Sequence, residues 1–539
     1  MSKLPLLGDE AIAQAAIDAG LSGLFAYPGT PSTEITEYVL RSKEVKEGKI
    51  IASWTSNEKT AMEAAMGVSY IGKRGMTCMK HVGLNVAADA FINSAITGAN
   101  GGLLVVSADD PSMHSSQNEQ DSRFFGNFAM IPILEPSNQQ EAYDMVHYAY
   151  EFSEKYEIPV LMRITTRLAH SRAGVVRSET RPQNKLRLPK TSNQFILLPG
   201  NARRRYKMLL GTQDSFIRES EESAFNKYFD SEDKKLGVIA CGIAYNYLIE
   251  NFPEQKVPHP VLKIGQYPLP RKLIEKIYKE CDEVLVLEEG YPLVEESLRG
   301  FMNNGKTIHG RLDGTIPRDG ELNPGIVAKA FGISFFEGRE PSGNVVGRPP
   351  SLCKGCPHIY SYNALTEALE KYAKGRVFSD IGCYTLGALE PFTAIDTCVD
   401  MGASITMAKG AADTGLVPAV AVIGDSTFTH SGMTGLLDAV ISKSPITVMI
   451  LDNETTAMTG GQNSNAHGKI EDICTGLGVE EKHIHVLNPI QKHHDENMAV
   501  IKKELEYNGV SVVIPRRECI QTLAARIRAE KYKVKSATQ

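Results

Sequence analysis

Asp425 and Asn453 stand 28 positions apart, each just after a short β-branched apolar run, 419–423 and 446–451. One carboxylate and one amide carbonyl, completed by backbone carbonyls and water, make an oxygen set suited to Mg²⁺, an ion usually held together with a phosphate ligand. Gly424 lets the backbone approach such a phosphate, Ser426 follows the carboxylate, and a helix beginning near Ser431 adds a favourable dipole. Run, turn, helix and second run read as a βαβ unit, whose loops at the carboxyl ends of neighbouring strands face one crevice. Taken alone, the Gly-Asp pair is equally ordinary punctuation between strand and turn.

A second chemistry belongs to sulfur. Cys353 and Cys356 form a C-x-x-C pair, Cys383 follows 27 positions later, and Cys519 lies a further 136 along. Four such thiolates suit a [4Fe–4S] cluster; zinc is the physical rival, and unligated packing is the third reading. Cys78, Cys241, Cys281 and Cys398 lie within apolar segments and read as small core residues. The opening MSKLPLLGDEAIAQ has no signal-peptide apolar region, so a cytoplasmic location without disulfides is expected.

GDS at 424–426 followed by DNE at 452–454 resembles the diphosphate signature of thiamine diphosphate enzymes. In that pattern Thr455 stands where a backbone carbonyl is the third Mg²⁺ ligand, and TGGQ at 459–462 resembles the 2-oxoacid:ferredoxin oxidoreductase branch. LCKGCPH at 352–358 is similar to the L-C-x-G-C-P-H entry of indolepyruvate ferredoxin oxidoreductase large subunits. DIGCY at 380–384 and DMGAS at 400–404 match two further family blocks, which implies that Gly382, Cys383, Gly402, Ala403 and Ser404 border the cofactor. The family's cluster nearest that cofactor uses cysteines in the order Cys353, Cys356, Cys383, Cys519.

These enzymes activate their cofactor with a carboxylic acid on the aminopyrimidine, work for a glutamate in an apolar setting that raises its pKa. The resemblance assigns that role to Glu58, in the first helical turn after the strand ending at Trp54. A first-turn glutamate also serves the helix dipole, and Glu63 is the nearest competitor. Tyr27-Pro28-Gly29-Thr30-Pro31 resembles the family's Y-P-x-T-P turn, which implies the Thr30 hydroxyl lies against the 2-oxoacid; it is also good turn chemistry. Lys80-His81, after the third strand, is a further candidate for the substrate carboxylate.

The resemblance implies oxidative decarboxylation of an arylpyruvate, with coenzyme A taking the acyl group and electrons leaving for ferredoxin or another acceptor. Its cofactors would be thiamine diphosphate, Mg²⁺ and one [4Fe–4S] cluster, and its partner a smaller β subunit in an α₂β₂ assembly. One departure stands out: the family usually continues into a ferredoxin-like tail, whereas no cysteine follows Cys519. The relay then falls to a partner subunit or to an acceptor docking near the cluster. A non-oxidative decarboxylase or carboligase without a cluster, and a non-catalytic scaffold, remain alternative classes.

Positioning these groups takes more than one core in 539 residues, and a composition of 42% apolar and 23% charged residues is that of a soluble globular protein. No apolar run is long enough for a membrane, and a net charge of −6 with interspersed signs gives nucleic acid no basic field. The alternation of short strands and helices predicts an α/β fold of three doubly wound parallel-sheet domains. Residues 1–170 are expected to bind the pyrimidine, with Asp9 and Ser32 as helix caps and a loop over 109–136. Residues 171–235 read as a surface linker with one helix, its arginines at 203–205 either a phosphate grip or a solvated face. Residues 236–335 resemble a transketolase C-terminal domain, 336–350 a Gly/Pro linker, 351–525 the diphosphate domain and 526–539 a tail. The thiamine site is expected between the first and third domains.

Overall fold

Strand and helix alternate through the first of two units, Met1–Glu340, as the apolar pattern dictates. The computed structural model describes residues 3–191, 194–299, 306–317, 320–335, 338, 342–347, 351–398, 401–413 and 415–537, with side chains to 530. Asp400 of the 400–404 block and most of the 336–350 linker lie outside the described residues. The main sheet has seven strands, ordered Gln266–Tyr267, Ile133–Leu134, Val160–Thr165, Leu103–Asp109, Gly75–Lys80, Gly23–Ala26 and Ile51–Trp54. All pair in parallel except Gln266–Tyr267, which is antiparallel. Leu103–Asp109 and Val160–Thr165 are buried along their whole length, as strands covered on both faces must be.

A second sheet of the same unit, centred on Leu236–Cys241, shares one hydrophobic core with the first. Two fully buried arginines pin the junction: Arg123 meets Asp121 and, at 3.0 Å, Glu288, while Arg163 meets Asp109 at 2.7 Å and Glu135 at 2.5 Å and donates across to the Glu289 carbonyl at 2.9 Å. Such charges survive burial because each is paired.

Several local expectations change. Helix Gly8–Asp18 begins before Asp9, so Asp9 lies inside it with a buried carboxylate instead of capping it. The Ser32 hydroxyl donates to the Gly29 carbonyl at 2.8 Å, closing the preceding turn rather than capping helix Thr33–Arg41. The 109–136 loop contains helix Arg123–Ala129. Residues 171–235 hold the one expected helix and add two short strands: Arg172–Val175 pairs with Leu4–Leu7, Lys227–Phe229 with Val261–Ile264, and helix Pro199–Glu221 buries only a narrow stripe at Leu209, Phe216 and Ser220. That narrow stripe is why its charged sequence reads as linker.

The second unit, Pro341–Gln539, holds five parallel strands ordered Val377–Ser379, Ala419–Gly424, Ile446–Leu451, Ser511–Pro515 and Ile484–Leu487. Ala419, Ala421 and Ile423 pack on one face with Phe428 and Leu436, whereas Val420 and Val422 pack on the other with Tyr362 and Leu365. Helices therefore cover both faces, and the loops after Ser379, Gly424, Leu451 and Pro515 rise at one edge. The helix expected near Ser431 begins at Asp425: a turn at Asp425–Thr427, a π-turn at Phe428–Gly432 and helix Met433–Ser442 follow one another directly. Helix Ile520–Ala537 runs through the expected 525/526 boundary. Among the described residues no helix is long and apolar enough to cross a membrane.

Candidate functional site

In the second unit the oxygen set gathers at the carboxyl edge of the sheet. Asp425 is only 3% exposed, and its Oδ2 has no hydrogen-bond partner among the described residues. Burial raises its carboxyl to about 7, and Asp452 pushes the same way. A buried carboxylate oxygen without a donor is unfavourable unless a cation or a proton meets it, so this orphan fits the expected Mg²⁺. Asp452 is itself committed to Arg516, at 2.6 Å. Asn453 Oδ1 accepts from the Thr455 amide at 3.2 Å across a turn made possible by Glu454, whose φ is 64°. One lone pair of that oxygen remains for a metal. The Ser426 hydroxyl meets that of Thr456 at 2.8 Å.

Tyr384 explains two of the glycines. A Cβ on Gly424 would lie 2.5 Å from its ring, and one on Gly382 would overlap the same ring. The Tyr384 hydroxyl donates to Asp380 Oδ1, and Oδ2 of Asp380 accepts from the Ser404 hydroxyl at 2.5 Å and from the Gly402 and Ser404 amides at 3.2 and 3.3 Å. Gly402, at φ 96°, needs the freedom glycine has there. Burial raises the Asp380 carboxyl to about 7 against these donors. Asp380 thus ties the block at 402–404, which opens helix Ala403–Asp413, to the end of strand Val377–Ser379.

The four predicted cysteines line one cavity of about 390 Å³ in this unit, together with Asn453 and Met458. Cys356 stands at the cap of helix Pro357–Ala368 and Cys519 just before helix Ile520–Ala537, positions that favour negative charge. The Cys519 amide donates to the Asn453 carbonyl at 3.1 Å. Two amide side chains point at sulfur: Gln521 Nε2 lies 3.4 Å from Cys353 Sγ, and Asn453 Nδ2 lies 3.7 Å from Cys383 Sγ. Burial pushes the Cys356 thiol up to about 11 and that of Cys383 higher still, so these sulfurs hold protons until a metal takes their place.

A zinc ion with bonds near 2.3 Å draws its thiolates to within about 3.8 Å of one another. Four thiols lining one cavity can serve such an ion or a cubane of iron and sulfide. Buried His358 adds an unforeseen contact, with Nε2 3.2 Å from Cys383 Sγ and 3.3 Å from Asn453 Nδ2. Burial lowers its imidazole to about 4, which keeps it neutral. Cys78, Cys241 and Cys281 are buried as expected, whereas Cys398 is exposed, a departure nothing in the structure explains.

In the first unit the candidate groups also meet at a carboxyl edge. Glu58 opens helix Glu58–Tyr70 behind the cap Asn57 and is 5% exposed. A Cβ on Gly83 would lie 2.5 Å from Glu58 Oε1, so the bare glycine leaves room for the carboxylate. Glu63 instead faces solvent beside Lys59, which removes it as a competitor. The stem of Lys80 passes Gly29 of the Tyr27-to-Pro31 turn, and burial lowers its ammonium against the pull of Asp110 and Glu58. The Thr30 carbonyl accepts from Ser115, which binds Asp110. Both ring nitrogens of His81 are committed, to the Asp110 amide at 3.2 Å and the Asn118 carbonyl at 3.1 Å, so His81 offers nothing to a substrate and Lys80 alone remains of that pair. Arg205 caps helix His81–Thr97 through the Ile96 and Thr97 carbonyls, so of the arginines at 203–205 it is a structural clamp.

The family described as pyruvate flavodoxin/ferredoxin oxidoreductase, thiamine diphosphate-binding, matches residues 14–202, and the thiamine pyrophosphate enzyme C-terminal domain matches residues 380–514. The chain is 39% identical to the indolepyruvate oxidoreductase subunit IorA of Archaeoglobus fulgidus, over 96% of this chain and 86% of that one. It is 38% identical to the same subunit of Methanothermobacter thermautotrophicus, over 97% and 88%. A 2-oxoglutarate:ferredoxin oxidoreductase from Magnetococcus marinus, solved with 2-oxoglutarate, coenzyme A and succinyl-CoA bound, aligns over 57% of this chain and 62% of that chain, with 16% identity and a TM-score of 0.49. Fold and matched domains together define a thiamine diphosphate-dependent 2-oxoacid oxidoreductase. Within that class the chain belongs to the indolepyruvate oxidoreductase IorA subunit family.

Proposed function

We propose that this chain is the catalytic subunit for oxidative decarboxylation of arylpyruvates of the indolepyruvate kind. Arylpyruvate and coenzyme A become aryl-acetyl-coenzyme A, carbon dioxide, a proton and two electrons. When bound, thiamine diphosphate supplies the carbanion stabilisation that 2-oxoacid decarboxylation needs, and a [4Fe–4S] cluster supplies one-electron acceptance. Asp425, the Asn453 side-chain oxygen and the Thr455 carbonyl hold Mg²⁺ at the diphosphate. Glu58 holds and exchanges a proton at the aminopyrimidine nitrogen. Thr30 and Lys80 receive the 2-oxoacid. Cys353, Cys356, Cys383 and Cys519 hold the cluster, and Gly382, Gly402, Ala403, Ser404, Gly424 and Ser426 border the cofactor.

The observation that carries this reading is the single cavity lined by all four cysteines and by Asn453, a residue also assigned to Mg²⁺. The relatives are named as subunits, which supports a partner subunit; in this reading it is a smaller β subunit of an α₂β₂ assembly, ferredoxin or another carrier accepts the electrons, and the site of action is the cytoplasm. The test is an anaerobic panel of 2-oxoacids with coenzyme A, using protein co-expressed with its second subunit. Aryl-acetyl-coenzyme A formed in preference to acetyl- and succinyl-coenzyme A is the expected result. Free aldehyde as the main product, unaffected by coenzyme A, points to a non-oxidative enzyme instead.

A further inference from the structure

Three ligating side chains of the first unit converge where the reaction gives them no role. Asp9, Glu34 and His170 each offer one ligand atom, and these atoms all lie within 4.8 Å of one another. They come from separate elements: Asp9 from helix Gly8–Asp18, Glu34 from helix Thr33–Arg41, and His170 from the end of Thr166–His170. Asp9 is 0% exposed, no N–H or neutral hydroxyl donates to either of its oxygens among the described residues, and the side chain in contact with its carboxyl is another acid, Glu34. The acidic groups beside it, Glu34 and Glu10, are acceptors like itself, and Glu10 is already engaged by the Leu7 amide at 2.9 Å and by Arg172 at 3.5 Å.

A buried carboxylate facing a second carboxylate calls for a positive charge or a shared proton between them. Glu34 Oε2 has no donor at hydrogen-bond distance; His170 Nε2 faces it at ion-pair range, 3.6 Å, and each favours the other's charged form. That distance is long for a hydrogen bond, and close to the roughly 3.4 Å between two ligands of one tetrahedral ion with bonds near 2.1 Å. Exposed His170 leaves one side open, where water completes a coordination shell. Two carboxylates with one imidazole mix hard and borderline donors, a set that suits first-row divalent ions.

We propose that Asp9, Glu34 and His170 bind one divalent first-row cation, of the Mn²⁺ or Zn²⁺ kind. None of its three residues belongs to the oxygen set of Asp425 or to the lining of the cysteine cavity. The ion ties the first helix, and the helix that follows the Thr30 turn, to the segment after strand Val160–Thr165.

The test uses full-length protein with its iron in place and Asp425→Ala introduced to silence the diphosphate site. Mn²⁺ alone is the probe, followed by loss of its free-ion paramagnetic resonance signal. The expected result is one Mn²⁺ per chain, lost on adding His170→Gln or Asp9→Asn, with Zn²⁺ displacing it and iron content unchanged. His170→Gln changes an exposed side chain, so its folding is not in question. Equal Mn²⁺ binding with and without His170→Gln overturns the proposal. So does an Asp425→Ala protein that binds no Mn²⁺ at millimolar concentration, which leaves Asp9 and Glu34 sharing a proton.

Discussion

The side-chain nitrogen of Asn453 points at the sulfur of Cys383 from 3.7 Å, while the oxygen of the same amide accepts from Thr455. One short side chain thus lines the thiol cavity and offers its oxygen at the proposed magnesium position. Hydrogen bonds to a cluster's thiolates raise its reduction potential. Asn453→Asp keeps an oxygen for Mg²⁺ and replaces the donor with a negative charge. Its cluster is expected to titrate at a more negative potential than wild type, with cofactor affinity within a few-fold. Potentiometric titration followed by paramagnetic resonance checks this, and an unchanged potential contradicts it.

Asp425→Ala removes the buried oxygen that has no donor. Affinity for thiamine diphosphate and for Mg²⁺ should fall together, by at least tenfold, about 1.4 kcal/mol in binding free energy. Calorimetric titration of each in the presence of the other reads the effect. The apo protein should lose little stability, because Oδ2 is a buried acceptor without a partner and only the carboxyl's contacts with Ser464 and the Ser426 amide are forfeited. Weaker binding of the diphosphate with unaltered Mg²⁺ dependence would separate the two roles and refute the shared one.

Cys353, Cys356, Cys383 and Cys519 should behave as one set, and Cys398, which is exposed and does not line the cavity, as their control. Serine at any one of the four is expected to lower iron and acid-labile sulfide in anaerobically purified protein to half or less. Cys398→Ser should leave both at the wild-type level. Zinc in place of iron in the wild type would contradict the cluster assignment.

Asp380 gives the second unit a pH dependence of definite sign. Burial raises its folded-state pKa from an ordinary 3.8 to about 7. Below about pH 4 both folded and unfolded chains keep the proton, and the group contributes no difference. Between about pH 4 and 7 the unfolded chain releases it first, so stability falls as pH rises, by at most about 1.4 kcal/mol per unit. Asparagine has no proton to lose. Its oxygen replaces Oδ2 toward Ser404 and Gly402, and its nitrogen donates to the Tyr384 hydroxyl. The melting temperature of Asp380→Asn should therefore gain on wild type as pH rises through that window. A constant difference between the two curves would show that Asp380 ionises as it would in water.

What the sequence makes legible follows from how local each signal is. Ile51–Trp54 and Glu58–Tyr70 fall where β-branched residues, Asn57 and the helical spacing put them, and the strands beside Asp425 and Asn453 end at the residues that break their apolar runs. Asp380, Tyr384 and His358 sit inside recognisable blocks, yet what they do depends on partners distant in sequence: a tyrosine ring over two glycines, an imidazole between a thiol and an amide. A general signal was present in Asp380 as a carboxylate directly after a buried strand, the same position as Asp425. Arg123 lies in a polar stretch that reads as loop and is nonetheless fully buried, because its partner Asp121 is two residues away while Glu288 arrives from the end of strand Glu283–Leu287 in the second sheet. The Asp9 site is invisible in sequence for the same reason, its three members standing at positions 9, 34 and 170.

The most direct measurement mixes anaerobic holoenzyme, loaded with thiamine diphosphate and Mg²⁺, with an arylpyruvate and coenzyme A while the visible absorbance of the iron–sulfur centre is followed. Wild type should bleach on substrate addition and show the resonance of a reduced cluster. Glu58→Gln should bind the cofactor normally yet bleach at least a hundredfold more slowly, as loss of a positioned proton-transfer group implies. Near-wild-type bleaching by Glu58→Gln, or decarboxylation by wild type with the centre still oxidised, would contradict the account.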